Sequence, residues 1–161
     1  MTIGDDFKTF LKEEGLWETL TNAEIERFLE FTEEVVCDKG EVIADIGEVG
    51  KALYFIIEGR VALVADNGAE EIEVGKILKG EILGEMSFFD QKPRSVRLKA
   101  DAQPTRLLRL SRVHYERIRT QCPYIAVNLL ELAIVSLDHL VRRQSTDMAT
   151  YTQFLYGKGK K

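Results

Sequence analysis

Glycines divide the middle of this chain into short segments, and this division restricts the possible folds more than any other sequence feature. Eight of the 12 glycines fall within 45 residues, at positions 40, 47, 50, 59, 68, 75, 80 and 84. The runs between them are rich in the β-branched and aromatic residues typical of strands. These runs are residues 34–37, 53–57, 61–65, 72–74 and 76–78. Short strands separated by turn residues predict a β-sandwich or barrel.

Turn signals and two more strands extend the β region to residue 110. Glu58-Gly59 and Asn67-Gly68 predict hairpins, since glycine and asparagine tolerate the positive φ of tight turns. Further strands are expected over residues 94–100 and 105–110. Pro104 lies between them, and because it has no N–H to donate we expect it at a turn or a sheet edge.

Helices are predicted on both sides of the β region. Residues 5–32 have helical spacing, and Thr21 with Glu24 three residues later has the pattern of a capping box. Ser111 is expected to cap a helix over residues 113–120.

The last predicted helix is long and apolar on two faces. It begins at Pro123, which suits a first turn, and is expected to end at about Arg143. One face can pack on the strands, and we expect a second copy of the helix to cover the other. The spacing of a helix seam is shared by Ala126, Leu130, Ala133, Leu137, Leu140 and Gln144. The expected divisions are a helical segment 1–32, a β-roll 33–110, C-terminal helices 111–143 and a weakly ordered tail 144–161.

Composition narrows the class of protein. A 45% share of hydrophobic residues predicts a globular chain with a real core. Residues 1–91 carry 8 basic and 22 acidic side chains, whereas residues 92–161 carry 14 and 5. Such asymmetry can indicate nucleic-acid binding, but the basic residues are scattered, so we expect the two halves to neutralise each other. We predict no membrane span and no signal peptide, and two widely spaced cysteines favour the cytoplasm.

The segment from Gly84 to Ser95 combines groups suited to a sugar phosphate. A short helical turn after a strand has free backbone N–H groups that can face an anion. Arg94 presents a planar fork of donors to phosphate oxygens, and Glu85 can accept a hydrogen bond from a sugar hydroxyl. A 3′,5′-cyclic nucleotide fits, because its phosphate carries one charge and its ribose has only the 2′-hydroxyl free.

This segment resembles the phosphate-binding cassette of the cyclic-nucleotide-binding domain family. The family's cassette begins with Gly-Glu, continues through a short helix and closes with Pro-Arg and a small residue. The matching positions are Gly84, Glu85, Pro93, Arg94 and Ser95. Residues 47–59 are similar to the family's first β-roll hairpin, and the likeness covers about residues 15–142.

The resemblance implies a mainly β fold, in which a double-stranded, jelly-roll-like β-roll of eight strands is flanked by N-terminal helices and a long C-terminal helix. It implies cAMP or cGMP as the ligand, with no cofactor. Glu85 would bind the ribose 2′-hydroxyl and Arg94 the cyclic phosphate. The implied ligand-binding set is Gly84, Glu85, Met86, Ser87, Arg94 and Ser95, with Leu137, Leu140 and Val141 as a lid. Base selectivity stays open, because Val96 and Arg97 stand where the family often has small residues.

The predicted function is a non-catalytic sensor that relays cyclic-nucleotide binding through its C-terminal helix to a separate protein effector. Only 18 residues follow Arg143, too few for a helix-turn-helix, so direct DNA binding is not expected. His114 and His139 lack metal-ligand spacing, which disfavours a metal site and a cupin-like enzyme. The alternative is a degenerate domain that serves as a dimerisation scaffold, although intact Glu85 and Arg94 argue against it.

Overall fold

Two four-stranded antiparallel sheets form a β-roll flanked by helices in this computed structural model, which describes residues 3–13 and 19–156. The strand orders are β1-β8-β3-β6 and β2-β7-β4-β5. This architecture confirms the predicted β-roll with N-terminal helices and a long C-terminal helix. The elements are α1 (Ile3–Glu13), α2 (Asn22–Leu29), β1 (Thr32–Cys37), β2 (Val42–Ala44), β3 (Ala52–Glu58), β4 (Arg60–Asp66), β5 (Glu71–Leu78), β6 (Ile82–Leu83), α3 (Glu85–Asp90), β7 (Arg97–Ala100), β8 (Thr105–Ser111), α4 (Arg112–Gln121) and α5 (Pro123–Tyr156).

One of the two predicted hairpin turns is a hairpin, and the other is not. Asn67-Gly68 joins β4 to β5, which pair antiparallel, so that prediction is confirmed. Glu58-Gly59 joins β3 to β4, which belong to different sheets, so the hairpin prediction there is wrong. Gly59 has φ +83°, and a Cβ on it would lie 2.8 Å from the Pro104 carbonyl oxygen. The glycine pattern marked a tight turn correctly, but it could not tell which strands the turn would pair.

Two short strands, β2 and β6, lie outside the predicted strand runs, and two other strands have boundaries clearly different from the prediction. The runs predicted at 72–74 and 76–78 form one strand, β5, whose register with β4 shifts between Leu63 and Val64. Strand β7 begins at Arg97 instead of residue 94. Residue 94 is held elsewhere, because its backbone N–H donates to the Glu48 carbonyl oxygen at 2.9 Å.

The predicted helix caps are present. Thr21 accepts a hydrogen bond from the Glu24 backbone N–H, and the Glu24 carboxylate accepts one from the Thr21 N–H, which completes the capping box. Ser111 accepts from the His114 backbone N–H at 3.2 Å and begins α4. Helices α1 and α2 contribute to the core that they share with the first sheet and with α4 and α5.

Helix α5 begins at Pro123 as predicted, but it runs to Tyr156 and not to Arg143. No proline or glycine interrupts residues 124–156, and the Thr146 hydroxyl donates to the Arg142 carbonyl oxygen at 3.0 Å. Residues 144–156, expected to be weakly ordered, therefore continue the helix. The rest of that predicted tail lies outside the described residues.

The seam predicted on α5 faces its own β-roll over much of its length. Ala126 and Ala133 are buried in the core, and Leu140 packs against the second sheet. The apolar face that α5 leaves accessible keeps Leu130, Leu137 and Gln144 of that seam but has residues 127, 134 and 141 in place of the covered positions 126, 133 and 140. This face, called the outer stripe below, keeps a 3-4-3-4 spacing and comprises Val127, Leu130, Ile134, Leu137, Val141, Gln144 and Met148.

Length and composition make part of α5 a candidate membrane span, contrary to the expectation from sequence. Within the segment Pro123–Thr150, the most apolar window of 18 residues has a mean hydropathy of 1.6, and 39% of that window is buried within the protein. Buried helices of compact proteins have the same composition. Ile125, Leu129 and Leu132 on the inner face belong to the hydrophobic core, so packing against the β-roll accounts for part of the apolar character.

Ion pairs join the acidic first half of the chain to the basic second half. Arg106 lies 2.7 Å from Glu34 and 3.3 Å from Glu58, and Arg97 lies 2.8 Å from Asp45. These contacts support the expectation that the charge asymmetry is neutralised within the molecule.

Candidate ligand-binding site

The predicted cassette is a short segment that links β6 to β7. Gly84 ends β6 in the left-handed conformation, with φ +89°, and starts the single short helix α3. Gln91 closes that helix, also in the left-handed region with φ 57°. Val49 and Pro93 then form an isolated bridge that brings the segment back to the β2–β3 loop.

All six residues predicted to bind the ligand line one cavity of about 240 Å³: Gly84, Glu85, Met86, Ser87, Arg94 and Ser95. Aliphatic side chains complete its far wall, namely Leu63, Ile77, Val96, Leu98 and Leu140. The cavity therefore has a polar end made by the cassette and an apolar end made by the second sheet and α5. This cavity is called the cassette cavity below.

Two glycines make room for the Arg94 guanidinium. A Cβ on Gly84 would lie 3.3 Å from Arg94 Nη2, and one on Gly50 would lie 3.1 Å from the same atom. The Gly50 Cβ would also lie 2.7 Å from the Phe88 backbone nitrogen. Gly50 was not among the predicted site residues, although a glycine inside the loop before a strand is a signal of close backbone approach.

Glu85 and Arg94 each bury a polar atom that makes no hydrogen bond to any described residue. These atoms are Glu85 Oε2 and Arg94 Nε. No ion pair within 4.0 Å joins the two described side chains, so they are not a structural salt bridge. A buried unsatisfied donor or acceptor costs about 1–3 kcal/mol, and charged groups cost more. The cassette thus holds a cationic donor and a carboxylate whose hydrogen-bonding capacity the protein leaves partly unused.

Burial shifts the pKa of both side chains toward the neutral form. Burial raises the pKa of Glu85 from 4.5 to about 7, although its own backbone N–H and Arg94 lower it, and Glu81 raises it further. Burial likewise lowers the pKa of Arg94, while Tyr54, Glu48 and Glu85 oppose this shift. Functional sites often show such shifts, because they hold charged groups away from water.

Hydrogen bonds that the sequence did not predict hold the cassette in place. The Ser87 hydroxyl accepts from the Gly50 N–H at 2.7 Å and donates to the Lys92 carbonyl oxygen at 2.6 Å. Arg112 donates to the Gly50 and Phe88 carbonyl oxygens and stacks 4.3 Å above the Phe88 ring. The Ser87 side chain is therefore committed to the fold, and only its backbone can face the cavity.

Helix α5 is fastened to the strand that leads into the cassette. The Ser136 hydroxyl accepts from the Ile82 N–H at 3.1 Å and donates to the Ile82 carbonyl oxygen at 3.2 Å. Arg143 forms an ion pair with Glu81 and donates to the Lys76 carbonyl oxygen at 3.1 Å. The contacts at Glu81 and Ile82 lie within four residues of Glu85, so they join α5 to the strand that leads into the cassette.

Of the three predicted lid residues, only Leu140 lines the cassette cavity. Leu137 is half-buried and Val141 is 57% exposed. Helical geometry explains this difference, because residues 137 and 141 turn toward the outer stripe when residue 140 faces the β-roll.

The positions that depart from the family pattern do not crowd the cavity with charge. Val96 adds apolar surface to the wall. Arg97 pairs with Asp45 and Glu71 at the far side of β7.

His114 binds the Phe31 carbonyl oxygen at 2.8 Å through Nδ1. Among the described residues, no cluster of three or more histidine, cysteine or acidic side chains could hold a metal ion.

The fold and the cassette together define a nucleotide-binding β-roll, and comparison with known proteins names the class. The family model for the cyclic nucleotide-binding domain matches residues 34–122. The chain therefore belongs to the cyclic nucleotide-binding domain family.

Relatives in this family include regulators of two kinds. The cyclic AMP receptor protein of Thermus thermophilus is 31% identical over 123 residues, which are 76% of this chain and 56% of that protein. The type II regulatory subunit of the cAMP-dependent protein kinase of Drosophila melanogaster is 31% identical over 53% of this chain. That match spans 22% of the subunit, so the chain corresponds to about half or less of these relatives.

Solved structures show the same fold. A cyclic nucleotide-binding domain from Methylobacillus flagellatus has a TM-score of 0.80 at 21% identity, covering 92% of this chain and 84% of that chain. The catabolite activator protein of Thermus thermophilus has a TM-score of 0.65 at 28% identity, covering 85% and 62%.

The raised pKa of Glu85 predicts a pH-dependent stability. The folded state holds the proton of the Glu85 carboxyl group more tightly than the unfolded chain does. The stabilisation of the fold that results is complete below pH 4.5 and is lost as the pH rises through about 7. Glu85→Gln should remove that loss, which amounts to about 3 kcal/mol at most. Urea unfolding at about pH 5 and about pH 8 measures it, with Glu70→Gln, an exposed carboxylate, as the control. Parallel pH profiles for wild type and Glu85→Gln would contradict the burial of this charge.

Proposed function

We propose that the chain is a non-catalytic, cytoplasmic sensing module that binds cAMP or cGMP in the cassette cavity and relays binding through α5 to a protein partner. Arg94 binds the cyclic phosphate, and Glu85 accepts a hydrogen bond from the ribose 2′-hydroxyl. The backbone N–H groups of Met86 and Ser87 reach the phosphate or the sugar, and Ser95 adds a donor. The family's regulatory relatives support this proposal.

The observation that carries the proposal is the pair of unsatisfied buried atoms on Glu85 and Arg94. A cyclic nucleotide offers both missing partners in one molecule: phosphate oxygens for the guanidinium, and a hydroxyl for the carboxylate. A degenerate scaffold would gain stability by losing both buried charges, because replacing them with apolar groups removes their desolvation cost. Their presence therefore favours a binding site over the scaffold alternative.

The base would occupy the aliphatic end of the cassette cavity. Leu63, Val96 and Leu140 offer it contact area but no hydrogen bond. Strong discrimination between similar ligands needs buried polar groups that the wrong ligand leaves unpaired. We therefore infer that this site separates adenine from guanine weakly.

The proposed relay runs from Glu85 through β6 to α5. A ligand changes the position of α5 only if it contacts two arrangements of the helix unequally. Leu140 supplies that contact, while Ser136 and the Arg143–Glu81 ion pair tie the helix to the strand before the cassette. If α5 closed on the base, Ser136 and Arg143 would move with the helix.

The outer stripe of α5 is the surface proposed for homodimerisation. Its most exposed apolar members, Ile134 at 66% and Met148 at 70%, lie two heptads apart. A second copy would bury both stripes in a two-helix seam. Apolar residues at alternating spacings of three and four favour such a seam. The β-rolls would then flank the seam.

Replacing Arg94 by alanine should weaken cyclic-nucleotide binding by about 2–5 kcal/mol, since it leaves the phosphate charge buried without a partner. Isothermal titration of nucleotide-stripped protein with cAMP and cGMP measures the loss. Arg60→Ala is the matched control, because Arg60 pairs with Asp101 away from the cassette cavity. Equal affinity of wild type and Arg94→Ala, or silence of the folded wild type with both nucleotides, would reject the proposed function.

Ile134→Glu should disperse the proposed dimer, because it places like charges opposite each other in the seam. Light scattering of the purified protein should show a dimer for wild type and a monomer for Ile134→Glu. The control is His139→Glu, which introduces the same charge at an exposed position off the stripe. A wild-type monomer, or an unchanged mass for Ile134→Glu, would remove the outer stripe as a dimer surface.

A further inference from the structure

A second polar cavity lies on the other side of Arg94. It has a volume of about 400 Å³ and opens between the β2–β3 loop and strands β3 and β8. Its lining shares only Arg94 with the cassette cavity. The Arg94 guanidinium therefore separates two cavities, and the function proposed above uses only one of them. This space is called the second cavity below.

Positive charge dominates the second cavity. Lys51, Arg94 and Arg109 line it, and Glu48 is its only acidic lining residue. One Glu48 oxygen, Oε2, already accepts a hydrogen bond from the Asp45 backbone N–H at 3.0 Å. This excess of cations occurs in a chain whose formal net charge is −5. The overall composition of the chain therefore does not explain this local concentration of cationic hydrogen-bond donors.

The cations of the second cavity are weakly engaged by the protein. Lys51 is exposed and has no ion pair within 4.0 Å among the described residues. Arg109 lies 2.5 Å from Glu33, whose side chain is 61% exposed, and such surface pairs contribute about 1 kcal/mol or less. Tyr54 also lines the second cavity, so an entering anion would meet its phenol. An entering anion could thus replace Glu33 at little cost.

We propose that the second cavity is an anion-binding site for a small phosphate-bearing ligand, held by Lys51, Arg94 and Arg109. Guanidinium groups match the paired oxygens of a phosphate in planar geometry, and an ammonium group adds a mobile donor. Two arginines that approach from β8 and from the cassette can grip opposite sides of such a group. Inorganic pyrophosphate is a suitable probe, since it carries phosphate oxygens at both ends.

Titration calorimetry with pyrophosphate, at ionic strength held constant with chloride, tests the proposal without any cyclic nucleotide. We expect saturable binding that Lys51→Gln and Arg109→Gln each weaken about tenfold or more, the loss expected for one charge-assisted hydrogen bond. Arg60→Gln removes the same charge from a comparable ion pair outside this cavity and should leave binding unchanged. Should Arg109→Gln fail to fold, Lys51→Gln decides, because its side chain is exposed.

Amide shifts on pyrophosphate binding locate the anion. They should centre on residues 49–51 and on Tyr54. Three results would overturn the proposal: no saturable binding, an equal loss in Arg60→Gln, or shifts confined to Met86 and Ser87 in the cassette cavity. The second of these would show a general effect of charge without a defined site.

Because both cavities use Arg94, we expect anion binding in the second cavity to weaken cyclic-nucleotide binding in the cassette cavity. This expectation rests on the proposed function. Two anions compete for one guanidinium, so saturating pyrophosphate should weaken cyclic-nucleotide binding severalfold, and the effect must be reciprocal. Arg109→Gln should abolish this effect while leaving nucleotide binding itself intact. An unchanged nucleotide affinity under saturating pyrophosphate would reject the coupling. Binding of pyrophosphate without any binding of cyclic nucleotide would reject the proposed function and leave the second site standing.

Discussion

The partly buried guanidinium of Arg94, with its Nε fully enclosed, is the constraint around which this β-roll is arranged. A cation can stay buried only if opposite charge and hydrogen-bond acceptors surround it. Gly50 and Gly84 lack side chains where the guanidinium lies, and Glu48, Tyr54 and Glu85 surround it with electron-rich groups. Its Nε nevertheless has no acceptor among the described residues. The fold therefore bears the cost of a partly buried charge, which a bound anion would offset.

The same region is joined to both C-terminal helices. Helix α3 is held from one side by Arg112 at the start of α4, and from the other by the Ser87 hydroxyl. Strand β6, which leads into α3, is gripped by Ser136 and Arg143 of α5. Hydrogen bonds as well as packing therefore connect the cassette and the strand before it to both C-terminal helices.

Local patterns in the sequence predicted local features well and long-range pairing poorly. The cassette, the capping box at Thr21 and the start of α5 at Pro123 depend on neighbouring residues, so sequence alone specified them. Glu58-Gly59 was misjudged because a tight turn looks the same whether it joins paired strands or crosses between sheets. The seam on α5 was assigned correctly at Leu130, Leu137 and Gln144 and wrongly at the covered positions 126, 133 and 140, because both faces of the helix are apolar and only the β-roll decides which one is covered. Tyr54 and Arg112 could not be assigned to the site because they reach it from a strand and a helix distant in sequence.

The most direct test of the central claim is a crystal structure of the nucleotide-stripped protein grown with cAMP. The account predicts the cyclic phosphate within hydrogen-bond distance of the Arg94 guanidinium, the ribose 2′-hydroxyl on the Glu85 carboxylate, and the base against Leu140. A nucleotide bound elsewhere, or one whose phosphate avoids Arg94 while that side chain keeps its buried position, would contradict it.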